Sequence, residues 1–337
     1  MGELRRVVVL SDSHFGHEGA MLAREETVCS LFRELDGLGM VDALVLLGDV
    51  WDLWRTGLPE ASRAGEPFFR ALGKWADGRH VFLVPGNHDY HLASYGEERR
   101  QRRHLGWEET PARRPQAGEH PQAPLAGVSG WMRSDRVRIG NLTLHSFYPL
   151  LSLEVAGKAV SLMHGHHLDF FTRSFWWAKT AWLAHWVLGR SQGIALSDVD
   201  RLNRPFFELL TSTARVPELL AWEYGFYRLL RFCTRLLRFQ SGKGASPRRF
   251  TSVGENAAEA RELFGNMLPG YLPDLFVFGH THRAGLERIW VGPRAVFLAN
   301  CGCWLEGDGG NVPATYLVID EAVRLRRLGD WEVAVEP

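Results

Sequence analysis

Five short clusters of His, Asp and Asn punctuate this chain. They are Asp12-Ser13-His14, Gly48-Asp49-Val50-Trp51-Asp52, Gly86-Asn87-His88-Asp89, His164-Gly165-His166 and Gly279-His280-Thr281-His282. Imidazole and carboxylate suit zinc, iron or manganese, and cysteine is absent from all five clusters, which argues against a structural zinc site. A carboxylate such as Asp49 has two oxygens and can tie together two cations roughly 3.5 to 4 Å apart. Such a pair clamps one phosphoryl group and activates a water for in-line attack on phosphorus. A lone His or Asp at a strand end is ordinarily a turn or capping residue. Five such clusters together point to one site.

The elements that must position these side chains are legible beside them. Each cluster follows a short apolar run of the kind that forms a buried strand. Val7-Val8-Val9-Leu10 precedes Asp12, Leu44-Val45-Leu46-Leu47 precedes Asp49, and Val81-Phe82-Leu83-Val84 precedes Asn87. Val160-Ser161-Leu162-Met163 precedes His164, and Leu275-Phe276-Val277-Phe278 precedes His280. Ligands leaving the ends of several strands can converge, as they do at the sites of α/β sheets. Helices are expected near 24–38, 61–77 and 91–104, giving a β-α-β pattern. A Pro-rich loop is expected over Thr110–Leu125, strands near 131–138, 141–147, 150–155 and 158–163, a helix over Glu255–Phe264, and closing strands over 286–327.

These ordered motifs, D-x-H, G-D, G-N-H-D, H-G and G-H-x-H, resemble those of the calcineurin-like metallophosphoesterase superfamily, and the resemblance spans most of residues 5 to 325. It implies an α/β fold of two packed mixed β-sheets flanked by helices, a four-layer sandwich. It implies two divalent metal ions, manganese in the first place, with iron, zinc, cobalt or nickel as alternatives. One ion would take Asp12, His14, Asp49 and His282. The other would take Asp49, Asn87, His164 and His280. His88 would protonate the leaving oxygen or stabilise the transition state, with Asp89 orienting its imidazole. His166 is a candidate neighbour of the metals.

Length and composition fit one catalytic domain over 1–337, since 337 residues with 45% hydrophobic and 23% charged content can bury a sizeable core. Net charge is zero, so global electrostatics call for no polyanionic partner. Cys29, Cys233, Cys301 and Cys303 make no disulfide framework in a chain of this size, and a reducing cytosol is the simplest location. Cys303 reads as a turn residue. No signal peptide and no spanning helix are expected, because Arg5-Arg6 leads into only four apolar residues and no run of 18 apolar residues occurs.

The departure from a minimal enzyme of this type is a segment over 168–246, inserted between the fourth and fifth motifs and rich in Trp and Phe. Its position makes it a helical cap over the metals. Leu219, Trp222, Phe226, Leu229, Cys233 and Leu236 recur at helical spacing, and Arg228, Arg231, Arg235 and Arg238 form another face. Such a helix can lie on a membrane interface at the inner face of the membrane, grip a substrate with both phosphate and acyl groups, or pack on the core with its arginines solvated. Candidate cap contacts to substrate are Trp182, Trp222, Phe226, Arg228, Arg231 and Arg235. The cap and the turn Gly48 to Trp54 are similar to those of UDP-2,3-diacylglucosamine hydrolases, which cleave a lipid-linked pyrophosphate. Those hydrolases usually carry Arg where this chain has His88 and Asp where it has His166.

The expected activity is therefore metal-dependent hydrolysis of a phosphodiester or pyrophosphate, with a lipid-linked nucleotide as one substrate class. A soluble phosphodiesterase or phosphatase acting on a small nucleotide or other ester is the alternative. A nuclease would use the same metals and the run Arg99-Arg100-Gln101-Arg102-Arg103. Glu97 and Glu98 adjoin that run, which reads more simply as a solvated helix face, so nucleic acid is not the favoured partner. A noncatalytic scaffold is disfavoured by the complete ligand set.

Overall fold

The computed structural model describes residues 4–93, 128–130, 133–139, 142–168, 257–264, 271–307 and 312–335, together with Leu196, Asp200, Arg204, Phe207, Glu208, Val253 and Leu268. The strands are β1 (Val7–Leu10), β2 (Ala43–Leu46), β3 (His80–Leu83), β4 (Val128–Gly130), β5 (Arg133–Ile139), β6 (Leu142–Tyr148), β7 (Leu150–Val155) and β8 (Lys158–Met163). They continue as β9 (Leu275–Phe278), β10 (Gly285–Val291), β11 (Arg294–Asn300), β12 (Thr315–Ile319), β13 (Val323–Arg327) and β14 (Glu332–Val335). Helices are α1 (Glu25–Gly37), α2 (Leu58–Ala64), α3 (Glu66–Trp75) and α4 (Ala257–Glu262).

Two mixed sheets result. An eight-stranded sheet has the order β14-β13-β12-β1-β2-β3-β6-β5, and a six-stranded sheet has the order β10-β11-β9-β8-β7-β4. Neighbours β1, β2, β3 and β6 run parallel, as do β8, β9 and β11. β1 also pairs antiparallel with β12, Val7 opposite Ile319, so the beginning and the far end of the chain share one sheet.

The continuous apolar runs follow from cover on both faces. In β1, Val8 and Leu10 pack under α1 and α3, while Val7 and Val9 meet the second sheet. In β9 the same alternation sends Leu275 and Val277 between the sheets and Phe276 and Phe278 toward α4. α1 carries Glu25 and Glu26 in its first turn, where acidic groups oppose the helix dipole, and buries Val28, Leu31, Phe32 and Leu35. The layers are thus helix, sheet, sheet, helix, the expected sandwich.

Some boundaries differ from the sequence reading. The helix expected over 61–77 is two, α2 and α3, joined at Gly65. The strand expected near 131–138 is β5; a short unexpected strand, β4, precedes it in the other sheet, and β14 extends the closing run beyond 327. The Pro-rich loop, the helix expected beyond Ala93 and most of 168–246 lie outside the described residues, including Trp182, Trp222, Phe226, Arg228, Arg231 and Arg235. Among the described residues no helix is long and apolar enough to cross a membrane.

Candidate metal centre

Strands β1, β2 and β3 of one sheet and β8 and β9 of the other deliver all five motifs to one place. In the first group, His282 Nε2 lies 3.1 Å from Asp12 Oδ1 and 3.2 Å from His14 Nε2, with His14 Nε2 3.8 Å from the same Asp12 oxygen. Asp12 Oδ2 accepts the Ser11 hydroxyl and the His280 backbone N–H, leaving Oδ1 buried without a hydrogen bond among the described residues. An unpaired buried carboxylate oxygen facing two imidazole nitrogens is a costly arrangement that a cation relieves.

The second group is built on Asp49. Its Oδ2 lies 3.1 Å from His164 Nε2 and 3.7 Å from His14 Nε2, so a single oxygen faces both groups. Asp49 Oδ1 instead accepts the His88 backbone N–H at 2.8 Å. The sequence reading offered both oxygens of Asp49 for bridging; the structure commits Oδ1 to the backbone. His164 Nδ1 donates to the Leu47 carbonyl at 3.0 Å, so Nε2, 3.2 Å from Asn87 Oδ1, is the nitrogen left for a cation once its proton is lost. Ligand atoms of Asp49, His164 and His280 lie within 4.8 Å of one another, as do those of Asp12, His14 and His282. The donor set is oxygen and nitrogen at convergent positions, which fits two divalent cations.

The backbone is bent to achieve this. Asp12, His14, Asp49, His280 and His282 all have left-handed φ, between 49° and 65°, a region that costs an L-residue about 1–2 kcal/mol. Gly48 precedes Asp49 with φ of 78°, and a Cβ there would collide with the His164 ring.

Charge in the site is tightly balanced. Burial alone would depress the imidazoles of His14 and His164. The carboxylates around them prevail: Asp12, Asp52 and Asp49 hold His14 at about 9, and Asp49 and Asp12 hold His164 at about 9. Burial likewise opposes ionisation of Asp12 and Asp49, yet the surrounding imidazoles hold both below the usual carboxylate range. The carboxylates demand positive charge, which protons supply in the cation-free chain and which divalent cations supply equally well.

His88 sits at the edge of the first group, its ring 4.8 Å from that of His14 and stacked on Trp54 at 4.0 Å. Its Nδ1 is 2.8 Å from Asp52 Oδ1. Asp52 is almost fully buried; burial opposes its charge, but His88 and His14 keep it well below its ordinary value. Asp89 was expected to orient His88, and the hydrogen bonds place it elsewhere. Its carboxylate accepts the backbone N–H groups of Gly86, Val50 and Trp51, tying the third motif loop to the second. Successive side chains of a tight loop point apart, and Asp89 points inward. Burial and the Asp49 charge raise its carboxyl to about 6.

His166 is buried beside the second group, its ring 5.6 Å from His164 and 6.4 Å from His280. Burial and the charge of His167 hold it well below the usual histidine range. Its Nε2 is 3.2 Å from the Tyr148 hydroxyl, which donates to Asp200 Oδ1 at 2.8 Å. Phe207 packs against His166, Tyr90 and Trp54. The sequence reading missed Asp52, Tyr148, Asp200 and Phe207 as site residues. Asp52 stood in plain view three residues after Asp49; nothing in the sequence links the other three. Cys301 and Cys303 are buried thiols outside any disulfide; Cys303 was expected in a turn, and it instead bridges Pro313, its carbonyl accepting the Ala314 N–H.

A two-sheet sandwich holding paired His/Asp clusters at converging strand ends defines a metal-dependent phosphoester hydrolase. The chain belongs to the calcineurin-like phosphoesterase family, whose model matches residues 5–284. No curated protein matches the chain. Among solved structures it is similar to a conserved uncharacterized protein, a predicted phosphoesterase, from Streptococcus pneumoniae TIGR4, with 11% identity, 100% of both chains covered and a TM-score of 0.34. It is also similar to Yfce, a phosphoesterase from E. coli (16% identity, 98% of this chain and 100% of that one, TM-score 0.35). A dimetal phosphatase from Danio rerio gives 11% identity, 99% of both chains and a TM-score of 0.41.

Proposed function

We propose that the chain hydrolyses a phosphodiester or pyrophosphate bond at a dinuclear centre, one cation held by Asp12, His14, Asp49 and His282 and the other by Asp49, Asn87, His164 and His280. The observation that carries this reading is Asp49 Oδ2, which faces His14 on one side and His164 on the other. When bound, the two cations supply an activated water and neutralise charge on the phosphoryl oxygens. His88 holds the proton that the leaving oxygen needs. Asp52 accepts from Nδ1 and so fixes the ring with Nε2 available for that transfer. Asp89 works on the backbone, holding the loop on which Asn87 and His88 stand. Trp54 and Phe207 give the leaving-group side an apolar wall, which supports a substrate with an apolar or lipid-linked group over a small polar ester.

The test is manganese-dependent hydrolysis of bis(p-nitrophenyl) phosphate beside p-nitrophenyl phosphate, with Asp49→Ala as the blank. Preferential diester cleavage is expected, lost in Asp49→Ala together with bound manganese; a variant that keeps full manganese occupancy would contradict the bridging assignment. Replacing Trp182 and Phe226 together is expected to spare the small diester and impair an acylated pyrophosphate. Equal loss on both removes the lipid-linked class.

A further inference from the structure

We propose that Asp200, from the segment between the fourth and fifth motifs, is a positioning residue for the half of the dinuclear centre built on Asn87, His164 and His280; this rests on the dinuclear reading above. Asp200 and Tyr148 are each 1% exposed. A carboxylate buried that deeply is retained only against strong donors, and the Tyr148 hydroxyl donates to it at 2.8 Å.

A phenol has one proton. Once it is committed to Asp200, the Tyr148 oxygen can only accept, from His166 Nε2 at 3.2 Å and more distantly from His167 Nε2 at 3.5 Å, so His166 carries a proton on Nε2. This fixes both the ring and its orientation. His166 Nδ1 is turned the other way, buried and without a hydrogen bond among the described residues. The ring lies against His164 and His280 and stands two residues beyond His164, across Gly165, whose φ is 112°. Holding His166 therefore holds the turn that carries His164. Phe207, from the same segment as Asp200, also packs on the His166 ring, edge to face with centroids 5.4 Å apart. The segment that distinguishes this chain from a minimal enzyme thus reaches His166 through oriented hydrogen bonds, and His166 reaches the ligands by ring packing and through the turn, the kind of outer support on which metal affinity depends.

The experiment is calorimetric titration of the cation-free full chain with Mn2+, with His282→Ala and Asn87→Ala identifying which binding event belongs to which half. Tyr148→Phe keeps the ring and removes only the hydroxyl; Asp200→Ala removes the anchor. Each is expected to weaken Mn2+ at the Asn87 half by roughly 10- to 100-fold while the His282 half stays within about twofold of wild type. Should Asp200→Ala fail to fold, Tyr148→Phe decides alone. Affinity unchanged at both halves, or lowered alike at both, overturns the proposal by reducing the pair to general support. Wild-type protein that takes up fewer than two Mn2+ ions overturns the dinuclear reading itself, a failure visible in the control before any variant is compared.

Discussion

Replacing Asp52 by Asn preserves the side chain's shape and removes the charge that His88 Nδ1 faces at 2.8 Å. Turnover is expected to fall by roughly 100-fold with metal content intact, because an unanchored imidazole loses its proton-transfer geometry. Asp89→Asn should instead lower the thermal midpoint, since its carboxylate satisfies backbone N–H groups of two loops. Unchanged turnover in Asp52→Asn would show that His88 needs no charged anchor at Nδ1. A pH experiment tests the charge balance. His14 and His164 are raised from 6.5 to about 9 without cations, so their contribution to stability is complete below pH 6.5 and disappears as pH rises through 9. Asp12 and Asp49 are depressed, so theirs is present above pH 3.8 and fades as pH falls below it. The cation-free chain is therefore expected to melt at lower temperature above pH 9 than near pH 6.5. Manganese needs the same nitrogens bare, so its uptake should expel protons, seen as a buffer-dependent heat by calorimetry. Equal heats in buffers of different ionisation enthalpy would refute this. The clustered candidates were legible because each is a metal-binding residue type at a strand end, and the structure brings them together. Asp89 misled because adjacency in sequence says nothing about direction in a tight loop, and the contacts of Tyr148 and Asp200 join positions with no shared motif.

At the scale of elements, the strand ends and their turns act as one unit. Gly48→Ala places a methyl group against His164 and imposes φ of 78° on an L-residue. It should cost manganese at the second half and lower the thermal midpoint, whereas Gly78→Ala, with φ of 71° but open space around it, should carry only the backbone penalty. Similar midpoints and similar manganese content for the two variants would show that crowding at Gly48 is relieved cheaply. The strands themselves were readable because both faces are covered, so their residues are apolar without interruption. α1 was readable from its buried positions at three- and four-residue spacing. The division of 61–77 into α2 and α3 was not, because glycine tolerated within a helix and glycine ending one look alike in sequence. Nor could apolar alternation assign β4 and β5 to different sheets, since pairing partners are set by the whole fold.

For the whole molecule, the proposed ligands come from both sheets, so bound cations would tie the two halves of the sandwich together. Chelation should lower the thermal midpoint in a manner that depends on free manganese concentration, and two separate transitions in the chelated protein would identify the sheets as independent units. The pairing of β1 with β12 has a further consequence, for the chain during synthesis. Val7 has no antiparallel neighbour until Ile319 has been made, and Asp12 waits for His282, made 270 residues later. Contacts of such long sequence separation form slowly. The centre therefore closes only after β9 and its turn have been made, and until then Asp12, His14 and Asp49 wait for their partners from the second sheet.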